Sequence, residues 1–178
     1  ISPDDAILLN ISNDHLDWHK TKNNYLNSKF KIFINQKKNN NAYVNKKKFQ
    51  QKYRNSKLQG NLTLVSSQSL KEIKNKIKNS FFTTSANIEN LSFIYELSKK
   101  YNIKKKLFIR YANSFSGLEH RYESFYSKKN LKFINDSKAT NFESTKQGLA
   151  NNKNIYWIVG GLPKKEDNFD LKDVKKKY

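Results

Sequence analysis

Two histidines and two aspartates lie within six residues of one another in the segment NISNDHLDWH at 10–19. The segment follows the short apolar run 6–11, which is typical of a buried strand in a parallel sheet. In open α/β sheets, ligand-binding and catalytic groups collect where strands end. Imidazole and carboxylate together predict either a divalent-metal site or a site for a charged substrate, and they leave the metal open. A polar loop whose aspartates cap the next helix explains the same residues equally well.

Lys29 is the second candidate. Apolar residues recur at helical spacing from Leu26 through Phe30 to Phe33, which predicts a helix around Lys29. Tyr25 and Ile32 widen this apolar stripe. At about 100° per residue Lys29 falls inside this stripe, so burial is expected to leave more of its amine neutral and nucleophilic. A stem that packs on the apolar surface while the ammonium reaches water is the alternative.

A third candidate is the segment NDSKATN at 135–141, between an expected strand and an expected helix. Asp136 has two oxygens that can accept the hydroxyls of a ribose. Lys138 and Thr140 can meet an anion near the N-terminus of the following helix. A loop that merely caps the helix accounts for Asp136 or Asn141, but it leaves Lys138 unexplained.

The elements that position these residues alternate between strands and helices, which indicates an α/β architecture with a parallel sheet. Strands are expected at 6–11, 42–44, 62–65, 122–126, 131–135 and 155–159. Helices are expected at 22–36, 69–78, 85–101, with Ser85 as its cap, and 142–151. The polar stretch 46–61 is ambiguous and is expected to be a variable surface excursion. A domain boundary is expected at Gly117. A weaker fourth candidate site is the glycine turn 160–165, which contains Lys164 and follows the last expected strand.

Composition limits the functional classes. The formal net charge is +20, but all of the 35 Lys and Arg residues except Arg54, Arg110 and Arg121 are Lys. Base readout and bidentate phosphate binding favour arginine, so a solvated lysine-rich surface is a better explanation than a nucleic-acid face. The chain has no Cys, which excludes disulfides and thiolate metal sites. No apolar run approaches the roughly 20 residues of a membrane helix, so a soluble, cytoplasmic protein is expected.

Together these segments resemble the Mur ligase family. NISNDHLDWH resembles the segment after a strand of its central domain, SKFKIF around Lys29 the segment with its carbamylated lysine, and ANIEN at 86–90 its HNxxN nucleotide motif. GLEHRYE at 117–123 resembles the opening of its C-terminal domain, INDSKATNFEST its acceptor signature, and GGLPKKEDNF completes the set. DSKATN is similar to the D-glutamate-adding branch in particular. Ala86 departs from the pattern, because a His usually precedes the first Asn.

The resemblance implies the end of a central ATPase-type α/β domain at 1–116, followed by the start of a Rossmann-like, acceptor-binding C-terminal domain at 117–178. It implies a ligase of peptidoglycan synthesis, and hence of cell-wall biogenesis, cell shape and cell division. ATP would phosphorylate the carboxylate of UDP-N-acetylmuramoyl-L-alanine, and the amine of D-glutamate would attack the acyl phosphate. Implied with this are Mg²⁺, a CO₂-derived carbamate on a lysine, and a monomer that binds neither nucleic acid nor a membrane.

Roles for individual residues follow from the same resemblance. Three residues would be catalytic, two of them as ligands of Mg²⁺: His15 and carbamylated Lys29 at the metal, and Lys138 on the transferring phosphoryl group. Four residues would bind ATP: Asn87 and Asn90 at the base, Asp136 at the ribose and Arg121 at the phosphates. Thr140 and Lys164 would bind D-glutamate.

The 178 residues contain no glycine-rich loop of the kind that cradles ATP phosphates. The chain is therefore expected to be an excerpt of a three-domain enzyme and to be inactive alone. Two alternatives remain open: another Mur-type ligase, such as a folylpolyglutamate synthase-like enzyme, and a Lys-rich nucleic-acid-binding module.

Overall fold

The computed structural model describes residues 2–12 and 15–162. It divides into two compact units, Ile1–Phe115 and Ser116–Tyr178, called here the first and the second unit. This division lies next to the expected boundary at Gly117. The assignment of the two parts to a central and a C-terminal ligase domain stays a prediction.

The first unit is built on a parallel sheet of three strands in the order β1-β2-β3. The strands are β1 (Asp5–Leu8), β2 (Asn41–Asn45) and β3 (Asn61–Val65). The helices of this unit are α1 (Leu16–His19), α2 (Lys22–Phe30), α3 (Lys46–Asn55), α4 (Ser85–Lys100) and α5 (Lys105–Ser114). Short 3₁₀ turns lie at Lys31–Phe33, Ser67–Leu70, Lys74–Lys76 and Ser80–Thr83. The expected α/β architecture with parallel sheet is confirmed for this unit.

Helices cover both faces of the sheet. Successive side chains of a strand point to opposite faces, so β2 contributes to the packing on each. On one face Ala42 and Val44 of β2 are fully buried beneath aromatic residues of α2, its 3₁₀ turn and α3. On the other face Tyr43 packs with Phe93 of α4. β2 is therefore the buried centre of the sheet, and the chain segments that follow the three strands emerge at one edge.

Helix α3 contradicts the expectation that 46–61 is a surface excursion. Asn45 caps it by accepting hydrogen bonds from the backbone N–H groups of Lys47 and Lys48, both at 3.0 Å. Phe49 and Tyr53, four residues apart, are buried in the core of the sheet. Two apolar residues and a cap are therefore enough to fix this otherwise lysine-rich helix.

The expected helix at 69–78 is also wrong, because Ser67–Leu70 and Lys74–Lys76 form separate 3₁₀ turns. Leu70 and Ile73 from this stretch are nonetheless buried against α4 and α5. The helix expected at 22–36 ends early, since α2 stops at Phe30 and continues as a 3₁₀ turn.

An ionic contact joins the first strand of the sheet to the end of α4. The Lys100 ammonium donates to both carboxylate oxygens of Asp5, at 2.6 and 2.7 Å, and the Tyr101 hydroxyl donates to one of them at 2.6 Å. Burial alone would raise the pKa of Asp5, but the bonds from Lys100 and Tyr101 outweigh it and the pKa is lowered. We call this the Asp5 contact.

The second unit contains an antiparallel hairpin of β4 (Glu123–Lys128) and β5 (Leu131–Asn135), followed by α6 (Phe142–Ala150). The strand expected at 155–159 is wrong. Ile155 and Trp157 pack on Phe142 and Leu149, while the intervening Tyr156 is 94% exposed. The side chains alternate as in a strand, but no described strand pairs with the segment, and a strand exists only within a ladder. A Rossmann-like second unit stays a prediction.

Within the described residues no helix is both long and apolar enough to cross a membrane.

Candidate active site

Three polar side chains from the first unit converge on one aromatic ring, that of Tyr25 on α2. The His15 and His19 rings lie 5.6 and 5.1 Å from it, centroid to centroid, and the Lys29 ammonium lies 5.3 Å from its centroid. His15 precedes α1 in the left-handed region, with φ 56°. The structure thus places His15 and Lys29, the two residues predicted to act at a metal, near the same ring of Tyr25. The sequence had assigned Tyr25 only to the apolar stripe of the helix.

The predicted burial of Lys29 is wrong. Its side chain is exposed, because α2 ends one residue later and the 3₁₀ turn redirects the chain. The apolar stripe narrows to Leu26, Phe30 and Phe33, while Ile32 is itself 42% exposed. The burial that was expected to favour a carbamate at Lys29 is therefore absent, and a carbamate there would need another cause.

His15 and Lys29 are the side chains to be compared with the ligands that a magnesium ion requires. His15 offers an exposed imidazole, whereas Lys29 contributes oxygen ligands only as a carbamate, and Mg²⁺ prefers oxygen. Across 2–12 and 15–162 no group of three or more His, Cys, Asp or Glu residues could hold a metal. The chemistry of the pair would fit a part of such a site only if Lys29 were carbamylated.

The start of α4 presents the two asparagines of the ANIEN segment. Thr84, and not Ser85 as expected, caps the helix, its hydroxyl accepting from the Asn87 backbone N–H at 3.2 Å. The Asn87 side chain donates to the Phe81 carbonyl at 2.7 Å. The side-chain oxygen of Asn90 is buried and has no hydrogen-bond partner in the described structure. A buried acceptor without a donor is costly, so the Asn90 oxygen has an unmet hydrogen bond.

Glu89, between these asparagines, is the residue that sequence reasoning missed. One of its carboxylate oxygens accepts from the side-chain amide of Asn45 at 2.9 Å, and both accept from Lys48 at 3.2 Å. Asn45 is almost fully buried, at 8% exposure. An Asn directly after the expected strand 42–44 is a signal for a helix cap, but nothing in the sequence indicates its link to α4.

In the second unit a half-buried carboxylate organises the predicted loop. Oδ1 of Asp136 accepts from the Tyr122 backbone N–H at 2.9 Å. Burial raises the pKa of Asp136, and this raise is only partly offset by that N–H and by the nearby charge of Arg121. Asp136 therefore stands directly after β5 and within the electrostatic influence of Arg121; that the two residues share a ligand stays a prediction.

Two further bonds tie the segment 117–123 to the loop after β5. The Lys138 backbone N–H donates to the His120 carbonyl at 3.0 Å, and the Asn135 side-chain amide donates to His120 Nδ1 at 2.8 Å. The Lys138 and Thr140 side chains are exposed, and the buried Asn141 caps α6 by accepting from the Ser144 N–H at 2.9 Å. His120, which the sequence did not single out, thus holds the loop in place. The Lys138 and Thr140 side chains of that loop are exposed to solvent.

Gly148 on α6 lets Tyr122 lie across the helix. A Cβ at this position would meet the Tyr122 ring at 2.9 Å, closer than side-chain contacts allow. Tyr122 itself has φ 52°, in the left-handed region. The unusual backbone of Tyr122 and the glycine opposite it together aim its N–H at Asp136. Lys164, the last predicted site residue, lies outside the described residues.

The family model of the Mur ligase middle domain matches residues 1–112 of this chain. The chain belongs to the Mur ligase family. The matched range includes His15, Lys29, Asn87 and Asn90, so the ring of Tyr25 and the start of α4 are parts of a Mur ligase middle domain.

Curated Mur ligase relatives extend the likeness into the second unit. A Rickettsia felis protein named UDP-N-acetylmuramoylalanine–D-glutamate ligase is 31% identical over 97% of this chain and 44% of its own length. The proteins of that name from Rickettsia prowazekii and a Wolbachia of Brugia malayi are 33% and 34% identical, over 89% and 92% of this chain. The chain spans 40% and 36% of those two relatives, so it corresponds to less than half of each.

Proposed function

We propose that the protein is an ATP-dependent amide ligase that adds D-glutamate to UDP-N-acetylmuramoyl-L-alanine in the synthesis of peptidoglycan precursors. The observation that carries the proposal is the loop after β5. Arg121, Asp136 and Lys138 are gathered there by hydrogen bonds between two segments, 117–123 and 135–141, that both resemble this branch of the family. The names of the relatives support the same acceptor.

The chemistry proceeds in two steps. The carboxylate of the muramoyl-alanine substrate attacks the γ-phosphorus of ATP, which gives an acyl phosphate and ADP. The amine of D-glutamate then adds to the acyl carbon, and the tetrahedral intermediate expels phosphate and loses a proton to leave the amide. Positioning and charge stabilisation supply most of the rate in such phosphoryl transfers.

The first unit would hold the adenine base and the metal in this reaction. The buried, unpartnered oxygen of Asn90 would accept from the amino group of the base, with Asn87 beside it. His15 and a carbamate on Lys29 would hold Mg²⁺, which neutralises phosphate charge when bound. Both side chains are exposed and each lies near the ring of Tyr25, so the amine is accessible to CO₂.

Residues of the second unit would bind the rest of ATP and the acceptor. Asp136 is placed to accept the ribose hydroxyls, with Arg121 nearby for the phosphates. Lys138 would stabilise the transferring phosphoryl group. Its ammonium is exposed while its backbone is bonded to His120, so the cation is free to meet a ligand at a fixed point of the loop. Thr140 and Lys164 would bind the carboxylates of D-glutamate.

The test uses protein produced from the complete reading frame, with ATP, the UDP-linked substrate and D-glutamate. ADP release should depend on D-glutamate, and ¹⁸O placed in the substrate carboxylate should appear in the released phosphate. L-glutamate with a reduced folate is the control acceptor pair, and retention on DNA at rising salt tests the nucleic-acid alternative. Turnover with the folate pair, or no ADP release with D-glutamate, would overturn the proposal.

The carbamate on Lys29 has a separate test. In the Lys29→Arg variant the charge remains, but guanidinium stays protonated and does not add CO₂. We expect this variant to lose most ligase turnover with unchanged circular dichroism, and to lose the ¹³C carbamate signal that ¹³C-bicarbonate gives in the parent protein. Lys31→Arg, an exposed lysine of the adjoining 3₁₀ turn, is the matched control. Near-normal turnover of Lys29→Arg would exclude the carbamate.

A further inference from the structure

Glu89 connects three elements of the first unit through its carboxylate. It projects from the second turn of α4 and is only 21% exposed. Its partners stand at the end of β2, which is Asn45, and in the first turn of α3, which is Lys48. The residue therefore ties the part of α4 that carries Asn87 and Asn90 to the buried central strand of the sheet.

Both the oxygen and the nitrogen of the Asn45 side-chain amide make hydrogen bonds, and this fixes the orientation of the amide. Its oxygen accepts from the Lys47 and Lys48 backbone N–H groups, so its nitrogen must face Glu89, to which it donates at 2.9 Å. A buried amide with both ends satisfied has one orientation rather than two. Glu89 is thus held by a donor that cannot turn away, together with a cation.

The direction of Glu89 on the helix determines what this link can do. At about 100° per residue, Asn87 and Asn90 lie about 60° apart on α4, and Glu89 points about 100° away from Asn90. A bond on a different side of the helix opposes rotation about the helix axis. The rotation of α4 decides where the unpartnered oxygen of Asn90 points.

We propose that Glu89 is a positioning residue for nucleotide recognition: held by Asn45 and Lys48, it sets the rotation of α4 that aims Asn90, with Asn87, at the adenine base. The inference rests on the proposed function, because it assumes that these asparagines meet the base. It goes beyond the proposed function by assigning a role to Glu89, a residue that would not itself contact the nucleotide. It also predicts an effect of Glu89 on the selectivity between purine bases.

The experiment compares variants of the protein produced from its complete reading frame. Glu89→Ala should raise the KM for ATP by about tenfold, equivalent to about 1.4 kcal/mol, and leave the KM for D-glutamate unchanged. The second readout is the preference for ATP over inosine triphosphate, whose base carries an oxygen in place of the amino group. Because a misdirected Asn90 no longer favours that amino group, the preference should fall by a similar factor.

Glu96→Ala is the matched control. Glu96 stands on the same helix, is 18% exposed, and pairs at 2.9 Å with Lys99 of the helix itself. Its loss should change neither the KM for ATP nor the purine preference. Equal changes in both variants would show a general loosening of α4 and overturn the inference, as would an unchanged purine preference in Glu89→Ala.

A polarity exchange keeps the inference testable should Glu89→Ala fold poorly. Asn45→Asp can still cap α3, but it lacks the N–H donor and repels the Glu89 carboxylate, so it should reproduce the defect. Combining it with Glu89→Gln supplies the donor from the other side and should restore at least half of the purine preference. Failure of this rescue with both proteins folded would refute the positioning role. If the parent protein ligates D-glutamate while all variants behave as the parent does, only this inference falls; if the parent does not ligate D-glutamate, the proposed function falls and this inference with it.

Discussion

The two units hold their candidate functional residues in different ways. In the first unit Lys29, Asn87 and Asn90 stand on helices, and His15 directly precedes one. The helices of this unit pack on both faces of a sheet whose central strand is almost entirely buried. In the second unit the described candidates, Arg121, Asp136, Lys138 and Thr140, stand on loops joined by hydrogen bonds around Asp136 and His120. The neighbouring hairpin has an exposed Phe125, at 62%. The helices of the first group are thus held mainly by apolar packing, to which α4 adds the polar link through Glu89, whereas the loops of the second group are held by a few polar contacts.

The largest expected effect tests this contrast through two phenylalanines. Phe33 is fully buried between Phe30 and Tyr53, so Phe33→Ala should destabilise the first unit by about 3–5 kcal/mol. Phe133 is 46% exposed on the hairpin, so Phe133→Ala should change the stability of the second unit by less than about 1 kcal/mol. Hydrogen exchange under increasing urea, resolved by peptides of each unit, measures both. Comparable losses in the two units would remove the contrast.

An intermediate effect is expected on substrate binding. A variant in the first unit should weaken the binding of ATP alone, and a variant in the second unit the binding of D-glutamate alone. Lys164→Ala should raise the KM for D-glutamate by about ten- to a hundredfold, since a hydrogen bond to a charged group is worth about 1.5–3 kcal/mol. Asn90→Ala should raise the KM for ATP by up to about tenfold, because its hydrogen bond is to a neutral group. Each variant should leave the other KM unchanged in steady-state kinetics. A Lys164 variant that loses ATP affinity and keeps D-glutamate affinity would reverse the assignment.

The sequence predicted the fold best where apolar spacing is unambiguous. Short apolar runs predicted the strands β1, β2 and β3, and a long stripe of apolar residues at helical spacing predicted α4. Helix α3 was missed because only Phe49 and Tyr53 mark its buried side among lysines. The strand expected at 155–159 failed for the opposite reason, since an apolar run does not show whether a partner strand exists.

The candidate site divides in the same manner. The positions of the loops near His15 and Asp136, after β1 and β5, were predictable from the expected strands. That catalytic groups gather at such strand ends made these loops candidates, and their role stays a prediction. The bonds that aim them were not, because they join residues distant in sequence, such as Asn45 with Glu89. The burial of Lys29 was predicted wrongly since helical spacing was extended past Phe30, where the helix ends.

The smallest effect is a pH dependence of opposite sign in the two units. The pKa of Asp5 lies below its ordinary value of 3.8, so its contribution to stability is present above that value and is lost as pH falls through the lowered pKa. The pKa of Asp136 lies above 3.8, so the cost of its buried charge is present at neutral pH and is relieved as pH falls through the raised pKa.

The matching variants are Asp5→Asn and Asp136→Asn. At neutral pH the first should destabilise its unit and the second should stabilise its own, and each difference from the parent protein should shrink as the pH falls toward 3.8 or below. Hydrogen exchange corrected for intrinsic rates, at neutral and at acid pH, gives the sign for each unit. Shifts of the same sign in both units would contradict the pKa directions.

The Asp5 contact also has a consequence for synthesis on the ribosome. Its partners are 95 residues apart in the chain, so β1 leaves the exit tunnel long before Lys100 is translated. At about 5–20 residues per second, the nascent strand waits on the order of 5–20 s for the residues that neutralise its carboxylate. During that interval β1 depends on pairing with β2, whose emergence comes much sooner. The order of translation thus favours completing the sheet before its outer strand is fixed to α4.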